Sequence, residues 1–241
     1  MSTTTKMKKV NGTVLIERFT VGRRIEHIFV IAVFVMLVLT GFPQKFFDVS
    51  WSSRIIDFFG GVDRTRLIHR IFGLTFSVHA LVHIGIIIVG VLSSRMRLSL
   101  LPTSADFRDL FATLRYYLGY QSDKPTYPKF DYRQKFEYLG IVLGGVVMVL
   151  TGLILLYPGW FAGFVPGQVI PASRVMHSNE ALLAFLVLTI WHVYGSHFSP
   201  EVFPMDKTIF TGYIDEHELK ERHQREYERL FPEKTGTTPE A

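Results

Sequence analysis

No cysteine occurs in the 241 residues. This excludes disulfides, thiolate-held iron–sulfur clusters and covalent haem attachment through a C-x-x-C-H motif. Any haem would have to be non-covalent and held by histidine or methionine. Charge is also scarce: Asp, Glu, Lys and Arg make up 20% of the chain and hydrophobic residues 48%. A mean hydropathy of +0.24 is too high for an ordinary soluble domain and points to an integral membrane protein. There is no internal repeat and no low-complexity segment. The first twenty residues are polar and basic, so no cleavable leader is expected. The net charge of +5 could suggest nucleic acid. In a membrane protein, basic residues crowding the cytoplasmic loops are the simpler reading, and no nucleic-acid partner is expected.

What is present is a set of long apolar runs. The pattern predicts an all-α membrane protein, a four-transmembrane-helix bundle with short amphipathic interfacial helices and a polar C-terminal tail. Spans are expected at about 25–42, 67–92, 136–157 and 174–198, each near the ~20 residues that cross the hydrocarbon. Gly41 and Pro43 should end the first. Together they make a membrane domain over 25–198, with a polar arm at 1–24 and a charged tail at 199–241 that is part helical around 215–230. Residues 43–66, with Trp51 and Phe58, should lie on the membrane surface, and 104–120 should form an interfacial helix. Gly140, Gly144 and Gly145 would permit close helix contact in the third span. The arm and the 93–135 loop, which includes Arg95 and Arg97, carry six and eight Lys/Arg. The 43–66 and 158–174 connections carry four and one, which places both termini in the cytoplasm.

Histidines mark the spans. His177 and His192 lie fifteen positions apart in the fourth. On an α-helix that is roughly 22 Å of rise and roughly 60° of rotation, so the two rings share one face. Ionisable groups inside an apolar span mark a functional site, and His is the commonest metal ligand. Two imidazoles at two depths suit two haems stacked across a bilayer. Matching depths pairs His69 of the second span with His177 at the outer level. At the inner level, His192 has two candidate partners, His27 and His83, and geometry leaves the choice open. His79 and His83, where not ligands, read as packing or hydrogen-bonding residues or as haem-propionate and quinone partners; the pair could also support another haem or a proton-transfer site. His197, His217 and His223 should be solvated. Arg24, Arg70 and Arg174 sit beside the histidines, where they would either pair with haem propionates or anchor the interface.

Several motifs carry a resemblance. Arg23-Arg24-Ile-Glu-His27 leads into the first span, which closes on Thr40-Gly41. Arg66-Leu-Ile-His69-Arg-Ile-Phe-Gly73 opens the second, Lys129-Phe-Asp-Tyr-Arg-Gln-Lys135 precedes the third, and His177 and His192 lie in the fourth. The chain resembles the di-haem membrane cytochrome b family that includes the formate dehydrogenase gamma subunit and the cytochrome b subunit of nickel–iron hydrogenases. The resemblance implies two b-type haems with bis-histidine iron, held by His27 with His192 and by His69 with His177. It implies a quinone (menaquinone or ubiquinone) site on the cytoplasmic side near the start of the third span, where Asp131, Arg133 and Gln134 match. Asp131 could relay protons and Gln134 could bond a quinone carbonyl, unless 129–135 is only a charged cap on a membrane helix. It also implies a periplasmic iron–sulfur subunit, with a multihaem cytochrome c equally compatible, and a place in the bacterial or archaeal cytoplasmic (inner) membrane. His79 and His83 depart from the pattern. The expected function is a quinone-reactive electron-transfer subunit. The alternatives are a free-standing quinol-oxidising cytochrome b and a non-redox membrane anchor.

Overall fold

Each apolar run becomes one long helix because no backbone polar group can go unpaired in hydrocarbon. The computed structural model describes residues 6–93, 99–200 and 202–235; Arg95 and Arg97 lie outside the described residues. Among the described residues, four helices are long and apolar enough to cross a membrane: α1 (Val21–Lys45), α3 (Val62–Leu92), α5 (Tyr132–Leu156) and a segment over Val169–Phe198 that begins as α7 (Val169–Leu186). Between α1 and α3 lies the short amphipathic α2 (Ser50–Phe58). The expected interfacial helix is α4 (Ser104–Tyr117), and a single turn, α6 (Pro158–Phe161), follows α5.

Gly41 and Pro43 do not end the first span. The helix runs through both to Lys45. Pro43 cannot donate a backbone hydrogen bond, so the Leu39 carbonyl loses its usual i−4 donor, and the helix ends two residues later. The Gln44 side chain bonds back to the Thr40 carbonyl at 2.8 Å and closes the helix there.

The described residues cluster into two compact units. One comprises residues 25–96 and 141–194 and holds most of the length of the four long helices. Its outward side chains are apolar, as lipid requires: Leu81, Val89 and Ile190 are each about two-thirds exposed. Its most buried positions include Thr40, Thr65 and Thr151 beside Val33 and Pro43. Lys45 reaches from the end of α1 to Ser178 and Asn179 of α7 at 3.2 and 2.8 Å.

The other unit draws on residues 1–24, 97–140 and 195–241. Strands β1 (Met7–Val10) and β2 (Thr13–Glu17) form a hairpin around Asn11-Gly12, both at positive φ, which is the pattern a two-residue turn demands. Strand β3 (Tyr213–Asp215) joins antiparallel, pairing Ile214 with Ile16. The turn α8 (Thr208–Thr211) precedes β3, and α9 (Glu216–Arg222), α10 (Gln224–Leu230) and α11 (Pro232–Thr235) follow it. Ile16, Ile214, Leu219, Tyr227 and Phe231 make its core. A lattice of ion pairs surrounds that core. Asp109 takes Arg225 through two bonds of 2.8 and 3.0 Å, and buried Lys135 meets buried Asp106 at 2.8 Å. His223 is not solvated as expected. It is 5% exposed and bonds the Pro128 carbonyl through Nδ1 at 3.0 Å. His217 is exposed.

Candidate functional site

In the membrane unit, histidines from different helices meet at two places. The rings of His27 on α1 and His192 have centroids 6.1 Å apart, tilted by 47°. Those of His69 on α3 and His177 on α7 are 6.3 Å apart and nearly perpendicular, at 83°. A metal–imidazole bond is ~2.0 Å and the ring centroid lies ~1.1 Å behind the nitrogen, so two axial imidazoles on one metal sit roughly 6.2 Å apart. Both pairs match that span. His79 and His83 are also 6.0 Å apart, but they stand four residues apart on one helix, where neighbouring side chains are always close and no porphyrin plane fits between them.

The His69–His177 pair has matching supports. Thr40 Oγ1 donates to the Met36 carbonyl at 2.6 Å and lies 3.0 Å from His69 Nδ1. Thr151 Oγ1 donates to the Val147 carbonyl at 2.6 Å and lies 2.9 Å from His177 Nδ1. With its proton already committed to a carbonyl, each hydroxyl accepts from the imidazole. Each ring therefore carries its proton on Nδ1 and offers a bare Nε2, the tautomer a metal needs.

The following residue is glycine in both cases. A Cβ on Gly41 would come within 2.9 Å of His69 Cε1, and one on Gly152 within 3.2 Å of His177 Cε1. The same Thr-Gly pair thus seats each ring, once from α1 and once from α5. A Cβ on Gly73, one turn from His69, would meet no heavy atom within 4 Å. The donor chemistry, the spacing and the tautomer fit a bis-histidine iron at this level.

His192 stands in a stretch where the helix widens. Residues Val187–His192 and Tyr194–Phe198 follow π-helical hydrogen bonding. A wide turn takes more residues per revolution, so His192 lags behind its α-helical position and turns back toward the His177 face. Such turns recur at functional sites.

The remaining expected residues fall into two groups. His83 meets Glu26. Its Nδ1 lies 2.6 Å from Glu26 Oε1, and His79 Nε2 lies 3.9 Å from the same oxygen. Asp131 and Gln134 form a reciprocal cap on α5. The Gln134 amide donates to Asp131 Oδ1 at 3.0 Å and the Asp131 amide to Gln134 Oε1 at 3.2 Å, while Arg133 holds Asp131 Oδ2 at 2.7 and 2.9 Å. Arg24 donates to the Phe210 carbonyl, and Arg70 and Arg174 are exposed.

Sequence reasoning missed Thr151-Gly152. Its repetition of Thr40-Gly41 near the end of another span was the available signal. The Glu26 contact was also missed, though Glu26 directly precedes His27.

A family model described as prokaryotic cytochrome b561 matches residues 18–204. That stretch holds all four long helices and every histidine named in them. No curated protein matches the chain.

Proposed function

The chain belongs to the prokaryotic cytochrome b561 family, multi-pass membrane proteins of electron transfer, and on that premise we propose that it is the quinone-reactive, di-haem cytochrome b subunit of a larger oxidoreductase. His69 and His177 hold one b-type haem and His27 and His192 the other. The observation that carries this reading is the pair of inter-helix histidine contacts at 6.1 and 6.3 Å, one of them seated by two Thr-Gly pairs. When bound, bis-histidine haem supplies one-electron transfer with no open position for substrate.

The chain's own residues set the conditions for that chemistry. Thr40 and Thr151 fix the proton of each outer imidazole on Nδ1 and make the ring a stronger donor. Gly41 and Gly152 fix the ring planes. The apolar outer surface keeps water away and lowers the local dielectric, which tunes the potential.

In this reading both termini are cytoplasmic and the membrane is the cytoplasmic (inner) membrane of a prokaryote. The His69–His177 level faces a periplasmic redox partner, an iron–sulfur or multihaem cytochrome c subunit. A quinone completes the path on the cytoplasmic side, because the bilayer's own lipid-soluble carrier is the natural two-electron terminus. The Asp131 carboxylate is engaged by its cap, so Asp131 and Gln134 act first as the N-terminal cap of α5. The amide NH2 of Gln134 takes no part in that cap and is a donor that suits a quinone oxygen.

The test is pyridine haemochrome quantification on the purified chain. Two haems per chain are expected, falling to one in His177→Ala and to one in His192→Ala. A value of one in the unsubstituted protein, or no loss in either variant, overturns the di-haem assignment.

A further inference from the structure

The electron-transfer reading leaves one cluster of donors unused. Glu26 on α1 and His79 and His83 on α3 bring one oxygen and two nitrogens within 4.8 Å of one another. All three residues are half-buried and belong to the apolar length of the helices. Ionisable side chains are costly there and mark a function.

We propose that Glu26, His79 and His83 form a binding site for a divalent transition-metal cation that ties α1 to α3. Two histidines four residues apart project from one face of a helix, the spacing that lets both reach a single ion. A carboxylate from the neighbouring helix supplies the third ligand. Two imidazoles and one carboxylate are a ligand set of Zn2+ sites that keep an open coordination position. The same donors suit Cu2+, whereas Mg2+ and Ca2+ want oxygen throughout.

The distances require little change. Tetrahedral ligands at ~2.1 Å stand roughly 3.4 Å apart. His83 Nδ1 and Glu26 Oε1 are 2.6 Å apart and must open, while His79 Nε2 and Glu26 Oε1 are 3.9 Å apart and must close, each by under about 1 Å. Phe29 packs against the His79 ring with centroids 5.4 Å apart and limits its rotation. Binding replaces the hydrogen bond between His83 and Glu26 with an ion that both can ligate. The site does not depend on either haem assignment, since it shares no ligand with them.

The test uses the full chain, purified in detergent and cleared of metal with EDTA. Zn2+ is titrated against a chromophoric chelator, and bound zinc is measured by atomic emission. One Zn2+ per chain is expected. Glu26→Gln, His79→Asn and His83→Asn should each weaken binding at least about tenfold, while His217→Asn at an exposed position leaves it unchanged. Helicity by circular dichroism verifies that each variant folds. Cu2+ added to the unsubstituted chain should give an electron paramagnetic resonance spectrum split by two imidazole nitrogens, a readout that needs no variant. The proposal is overturned if no stoichiometric zinc binds, or if the triple variant retains the affinity and so places the ion elsewhere. A nitrogen count other than two on copper also overturns it.

Discussion

Replacing Thr151 with valine removes one oxygen and almost no volume, which isolates the hydrogen bond it accepts from His177. Thr151 is 5% exposed, and Thr40 on the other side is fully buried, so no water stands in for the lost hydroxyl. Each valine leaves a buried Nδ1–H facing a methyl group. An unsatisfied buried donor costs about 1–3 kcal/mol, or roughly fivefold to 150-fold in the equilibrium it opposes. Loss of a histidine's outer hydrogen-bond partner typically weakens metal binding by about 10–100-fold, which agrees. The direction of the redox effect also follows. An imidazole that donates from Nδ1 is the better electron donor and favours ferric iron, so Thr151→Val and Thr40→Val should each raise the midpoint potential of one haem. The rise is about 59 mV for each tenfold by which ferric binding weakens beyond ferrous. Potentiometric titration of the visible spectrum reads this directly, with haemochrome content as the companion measurement. One haem should move, the other should stay, and Thr151→Ser should restore the native value. If both valine variants and their double keep two haems at native potentials, the hydroxyls do not position the ligands and the argument is wrong.

Gly41→Ala should cost more haem than Gly152→Ala, because its methyl would stand 2.9 rather than 3.2 Å from the imidazole carbon; retention after reconstitution measures the order. His27→Ala should drop one haem per chain while His83→Ala keeps both, since His83 faces Glu26. In the extramembrane unit, burial and then the charge of Arg18 hold His223 down to about 3 from its ordinary 6.5. The ring is neutral when folded and protonates when unfolded, so stability should fall as pH drops from 6.5 toward 3, by up to ~1.4 kcal/mol per pH unit. Thermal melts across that range should flatten in His223→Asn. Asp106→Asn strands the buried Lys135 ammonium and should lower unfolding stability by about 3–5 kcal/mol, read by chemical denaturation.

The four spans were legible because an apolar run of the right length has one fate in a bilayer. Their ends were less so: α1, α3, α5 and α7 each begin some residues earlier than hydropathy suggests, since polar residues such as Arg23 and Asp63 continue the helix beyond the hydrocarbon. Depth matching alone brought His69 to His177. It could not separate His27 from His83 for His192, because both stood at the right level, and only the packing of α1 against the last span brings His27 there. The extramembrane unit was the least legible. Val10-Asn11-Gly12-Thr13 is a hairpin signal, but β1 and β2 gain their core only from Ile214, Leu219 and Tyr227, about two hundred positions away. Solvation was expected for His223 because sequence does not reveal that the tail folds back over Pro128.

The widened turns at the end of the last span make its length adjustable at one place. A π turn accommodates a residue that an α turn would not, so losing one residue between Val187 and Ile190 could be absorbed by reversion to regular α winding. The helix beyond would stay in line, and His192, which follows the lost residue, would keep its place against the ring of His27. The same deletion anywhere in the regular winding of α3 would instead rotate every side chain that follows it.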